Sequence, residues 1–91
     1  MKDYFSHDYN ARNDKKLVKV AMKHGMTGIG TFWCISEMLY EENGQLAITE
    51  CERIAYELRI DKELILSILN DFDLFKIKNG VFFSESIARR L

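Results

Sequence analysis

The chain contains no proline, only five glycines, and two cysteines that form no C-x-x-C pair. Without proline nothing stops a helix covalently, so boundaries must be read from caps and glycines. Cys34 and Cys51, taken with His7 and His24, stand in the order His-His-Cys-Cys with wide gaps that match no zinc-finger spacing. The cysteines read as core thiols, and no metal or cofactor is expected. Charge of either sign is not in excess: thirteen Lys and Arg face fourteen Asp and Glu, for a net charge of −1. No overall basic field therefore draws the chain onto phosphate or an anionic membrane. No apolar run approaches the ~18 residues of a membrane helix, and the opening "MKDYFSHDYN" has no apolar leader core. A cytoplasmic compartment is the expectation. Gly/Ser linkers, repeats and low-complexity tracts are also missing, and 91 residues suffice for one domain burying ~60–65% of its unfolded surface.

What is present is helical periodicity with one hairpin. At 100° per residue, Leu17, Val18, Ala21 and Met22 share one side of a helix from about Lys15 to His24, with Val20 at the border. Lys15, Lys16, Lys19 and Lys23 share the other side. Asp14 is placed to cap this helix and Gly25 to stop it. After the "GMTGIG" turn a second helix is expected from about Gly28 to Glu42, with Ile29, Phe32, Trp33, Ser36, Leu39 and Tyr40 on one face and Ile35 and Met38 widening it. A helix apolar around so much of its girth is either central or in contact with a partner as well as the core.

"QLAI" reads as a short strand, and Thr49 to Glu52 as a capping box that starts a third helix. Asp61 is placed to cap a fourth helix running to Phe72, with Leu64, Ile65, Ile68, Leu69 and Phe72 inward. About two residues separate these helices, a helix-turn-helix spacing. "LFKIK" and "VFFSE" then flank Asn79-Gly80, a strong hairpin signal that pairs Lys78 with Val81, Ile77 with Phe82 and Lys76 with Phe83. Ile77 and Phe82 are expected inside, and Lys76, Lys78 and Phe83 outside. The fold class is thus mainly α with a small β-hairpin: a winged helix-turn-helix with an extra N-terminal helix. "ESIARRL" reads as the start of a further helix, so the chain is expected to be the N-terminal domain of a longer protein.

The stretch "YFSHDYNARNDKKLVKVAMKHGMTGIGTFWCISEMLYEENGQL", followed by "ERIAYELRIDKELILSILNDFDLF", resembles the Lin-type N-terminal domain of phage and prophage proteins, a domain often found ahead of DnaD-like segments. Its opening F-x-H-D-x-x-A-x-x-D-x-K pattern is met by Phe5, His7, Asp8, Ala11, Asp14 and Lys16, and Gly25, Gly28, Gly30 and Glu37 also stand where such domains carry them. More distantly the chain is similar to the N-terminal winged helix of DnaD-type primosome proteins and phage replisome organisers. The resemblance implies a role near replication initiation, in self-association and DNA contact. Lys15 departs from the DnaD-like pattern, which often has Pro there.

The expected reader helix carries Glu63, Leu66, Ser67, Asn70 and Asp71 outward. That face, with Lys62 at its edge, offers no Arg or Lys for guanine or phosphate, and its carboxylates repel the backbone. The candidate DNA contacts are therefore Lys15, Lys19 and Lys23 on the first helix and Lys76, Lys78 and Phe83 on the wing. Against this stand a solvated helix face and a charged edge that discourages strand pairing. Segment charges of +3 for residues 1–25, −5 for 26–63 and +1 for 64–91 give complementary patches for association. Phe32, Trp33, Ile35 and Met38 are the candidate interface, and the partners expected are a second copy, DNA bound weakly without sequence preference, and replication proteins. No catalytic constellation is evident, and a non-enzymatic module is expected.

Overall fold

The computed structural model describes residues 15–90. The expectations placed on Phe5, His7, Asp8, Ala11 and the Asp14 cap lie outside the described residues. The order is α1 (Lys15–Glu41), β1 (Gln45–Ala47), a 3-10 turn (Ile48–Glu50), α2 (Cys51–Leu58), α3 (Lys62–Asn70), β2 (Lys76–Lys78), β3 (Val81–Phe83) and α4 (Glu85–Arg90). The described chain is mainly helical, with one small three-stranded antiparallel sheet in the order β1-β3-β2. Among the described residues no helix is long and apolar enough to cross a membrane.

The two N-terminal helices expected from the periodicity meet without a loop. Gly25 alone leaves helical geometry, at φ 67° and ψ −157°, and the helix resumes at once. That corner of backbone space is essentially open only to glycine. Three residues on, Gly28 is buried where the helix turns away: a Cβ there would lie 2.5 Å from His24 Cβ and 2.9 Å from Val20 Cγ1. A glycine at each of these positions lets one helix become two arms, residues 15–24 and 26–41.

The kink also fixes which faces go inward. In the first arm Leu17 and Val20 are buried, whereas Val18, Ala21 and Met22, expected on the same inner side, are exposed. In the second arm the buried stripe is Gly28, Thr31, Ile35, Ser36 and Leu39, so the core face is rotated from the one the periodicity suggested. Thr31 meets its polar requirement within the helix, its hydroxyl donating to the Thr27 carbonyl at 2.7 Å. Ile29, Phe32, Trp33, Met38 and Tyr40 are left half-buried against the core.

α1 ends through Asn43 and Gly44, both at positive φ, with the Gly44 N–H returning to the Leu39 carbonyl at 2.7 Å. The capping box expected at Thr49 does not form. Glu50 precedes α2 without a side-chain cap bond, because the chain before it is drawn into the sheet: the Ile48 N–H bonds the Gly80 carbonyl at 2.8 Å. α2 ends on Arg59 in the left-handed region, with Arg59 N–H to the Tyr56 carbonyl and Ile60 N–H to the Ala55 carbonyl, a Schellman pair. Asp61 does precede α3, but it is the backbone carbonyl and not the carboxylate that accepts from Leu64 and Ile65.

α3 buries Ile65, Ile68 and Leu69, and Phe72 follows just past its end. The hairpin has the register that a two-residue turn at Asn79-Gly80 requires, Lys76 opposite Phe83, Ile77 opposite Phe82 and Lys78 opposite Val81. Phe82 is fully buried, but Ile77, expected beside it inside, is 42% exposed. β2 is an edge strand of the sheet, and all three of its residues are exposed. Ser84 is buried and caps α4, its hydroxyl accepting from the Ile87 N–H at 3.3 Å while Ile87 enters the core.

Candidate interaction surfaces

Leu17, Val18, Ala21 and Met22 of the first arm of α1 and Met26, Ile29 and Trp33 of the second line a largely apolar groove of ≈ 550 Å³. Met22 is 81% and Met26 78% exposed, among the largest apolar exposures of the described surface. The groove is nevertheless well anchored. Trp33 stacks edge-on to Phe32 at 4.9 Å, Phe32 lies 5.7 Å from Phe75, and Phe75 lies 6.5 Å from Phe82 in the sheet. A rigid floor under flexible methionines suits a surface that accepts another apolar surface.

Of the residues read as an interface, Trp33 lines this groove, and Phe32 and Met38 are half-buried against the core. Ile35 is corrected: it has no exposed surface and belongs to the core. Met26 escaped the reading because it fell in the expected turn. Once helix resumes directly after Gly25, Met22, Met26, Ile29 and Trp33 stand at intervals of four, three and four, an i, i+4, i+7, i+11 pattern that the sequence already contained.

The lysines divide into two groups. Lys16 Nζ lies 3.0 Å from the Asp73 carbonyl and 3.3 Å from its carboxylate, which Lys76 also reaches at 3.3 Å. Lys23 lies 3.5 Å from Asp71. Lys16 and Lys23 of the first arm and Lys76 of β2 are thus tied to two carboxylates just past the end of α3. Hydrogen bonding from Lys16 and then Lys76 holds the Asp73 carboxyl below its ordinary pKa. Lys15, Lys19 and Lys78 are exposed, and among the described residues none of them has an ion-pair partner. Phe83 is half-buried, paired in the sheet with Gln45 on one side and Lys76 on the other.

The outward face of α3 is occupied with its own bonds. Asn70 Nδ2 donates to the Leu66 carbonyl at 2.9 Å, which directs its amide along the helix. Ser67 Oγ donates to Asp71 Oδ2 at 2.8 Å, and His24 Nε2 lies 2.9 Å from Ser67 Oγ. With the single serine proton given to Asp71, His24 is the donor to Ser67, which is the reverse of a serine activated by a histidine base. The trio pins the kink of α1 to α3, and His24 also packs edge-on against Phe72 at 5.9 Å. The Ser67 bond, ahead of the Lys23 charge, lowers the Asp71 pKa.

Two further groups are closed by burial or pairing. Cys34 and Cys51 are free thiols, both pushed up in pKa chiefly by burial. On α2, Arg53 bridges Glu50 and Glu57, and Lys62 reaches Glu52 at 3.4 Å. Those pairs offset part of the acidic middle of the chain.

The family model for Lin1244/Lin1753-like N-terminal domains matches residues 4–87. The chain belongs to that family. No curated protein and no solved structure matches it.

Proposed function

We propose that this domain is a non-catalytic winged-helix module of a DnaD-like replication-initiation protein of phage or prophage type, working in the cytoplasm by self-association and weak, sequence-tolerant DNA contact. The observation that carries the association is the groove between the arms of α1, with Met22 and Met26 exposed above a fixed Trp33. A helix pair followed by a hairpin with a basic edge strand supports the winged-helix reading, with β2 and β3 as the wing.

The DNA contact falls to Lys78 and to the Lys15 and Lys19 edge of α1, since Lys23 and Lys76 are engaged by aspartates. α3 serves as packing rather than as a reader. That internal neutralisation also favours a second reading, in which the module associates with protein alone. A titration of double-stranded DNA against salt, run beside a measurement of solution mass, separates them. The first reading predicts binding whose log affinity falls by about 0.9 per engaged lysine for each unit of log salt, with no preference among sequences. Absence of binding at low salt together with an associated mass would leave the protein-only reading, and a strict monomer at tens of micromolar would remove both.

A further inference from the structure

We infer that the groove is one half of a two-fold interface, in which the Lys15 and Lys19 edge of one copy faces Glu37 and Glu41 of the other. The inference rests on the self-association proposed above and specifies its geometry. Lys15 stands three residues before Val18 and Lys19 three before Met22, so both lie along the border of the groove on the first arm. Glu37 stands four residues after Trp33 and Glu41 four after Glu37, which continues the groove face of the second arm by one and two turns. All four are exposed, and none has an ion-pair partner among the described residues. In contrast, Lys16, Lys23, Arg53, Lys62 and Lys76 are each paired within the chain.

An apolar groove with a cationic border on one arm and an anionic extension on the other is complementary to a copy of itself. In a two-fold contact residue i of one copy meets residue j of the other and j meets i, so each charge pair forms twice and the assembly closes at two. The apolar residues between the charges, Met22, Met26 and Ile29, then lie nearest the axis. Charge pairs at the rim fix orientation and discourage other partners, while the methionines and Trp33 supply the buried area. In the dimer Lys15 and Lys19 are turned to the second copy, so of the lysines assigned to DNA contact above only Lys78 is left for phosphate, and Lys15 and Lys19 serve DNA in the monomer alone.

The test uses two variants of the 91-residue chain, Lys15→Glu/Lys19→Glu and Glu37→Lys/Glu41→Lys, studied separately and as an equimolar mixture by sedimentation. Every substituted position is exposed, so the fold is retained. Each variant alone sets like charges against each other at both rims and is expected to raise the dimer dissociation constant at least about tenfold. The mixture is expected to recover the dimer as a heterodimer, because one chain then has both rims acidic and the other both basic. A mixture that stays monomeric, or a variant that alone keeps the parent mass, overturns the two-fold pairing. Met22→Glu/Met26→Glu separates this from the broader reading: if it dissociates the chain while the charge variants behave like the parent, only the pairing is wrong, and if it too keeps the parent mass, the groove reading fails.

Discussion

Lys16 and Asp73 stand 57 positions apart in sequence, yet Lys16 Nζ lies 3.0 Å from the Asp73 carbonyl and 3.3 Å from its carboxylate. Through Asp73, which Lys76 also meets, the start of α1 is drawn against the base of the β2–β3 hairpin. The same contact that joins the two basic elements neutralises part of their charge.

Replacing Asp73 by Asn is therefore expected to strengthen DNA binding. Lys76 would lose its ion pair and be released to meet phosphate, steepening the slope of log affinity against log salt by up to about 0.9, whereas Lys78→Ala should flatten it by about 0.9. Fluorescence anisotropy over a range of salt concentrations checks both. An unchanged slope in Asp73→Asn would mean that Lys76 does not lie on the DNA path.

Acid should act through the same carboxylates. Asp71 is lowered by Ser67 and then by Lys23, and Asp73 by Lys16 and Lys76. A folded pKa below the unfolded one gives stability that is present above the unfolded value of about 3.9 and lost as pH falls through the lower folded value. Denaturant midpoints are thus expected to be insensitive to these two groups between pH 5 and 7. Below about pH 4 they should decline, and less so in Asp73→Asn.

Gly25→Ala is expected to destabilise the fold by about 1–3 kcal/mol, although nothing lies within 4 Å of where the new Cβ would stand. The cost is purely one of backbone conformation, at φ 67° and ψ −157°. Thermal unfolding measures it, and a neutral effect would show that α1 does not depend on this kink.

Ile35 and Met22 should part company. Ile35→Ala empties a fully buried position and is expected to cost about 2–5 kcal/mol, while Met22→Ala, at 81% exposure, should change stability by no more than about 0.5 kcal/mol but weaken association. Denaturant midpoints and solution mass together distinguish the core residue from the surface one.

The hairpin was legible because Asn79-Gly80 carries its own turn geometry, and the register follows from it without tertiary information. The inward residues of α3 were legible because their spacing is helical and their neighbours polar. The orientation of α1 was not. Its apolar residues encircle much of the helix, and which of them go inside depends on the kink at Gly25 and on what α3 and α4 offer, neither of which periodicity encodes. Met26 was hidden by the assumption that glycines on either side of it mark a loop. The partners of Lys16 and Lys23 lie far away in sequence, so no local pattern announced them. Asp73, only three residues before Lys76, stands in the link between α3 and β2 where neither helical nor strand spacing applies. Thr49 had the right capping sequence, but it lies inside the 3-10 turn Ile48–Glu50, which is tied at Ile48 to the Gly80 carbonyl, and α2 starts after it at Cys51.

Trp33 is the single tryptophan of the chain and lines the groove, so its fluorescence tests the association directly. On raising the concentration of the chain from below one to about a hundred micromolar, standard-size burial at the groove should shift the emission to shorter wavelength as solvent leaves the indole. The shift should be absent in Met22→Glu/Met26→Glu. Emission that is independent of concentration in the parent chain, while its solution mass rises, would place the interface elsewhere and contradict the account.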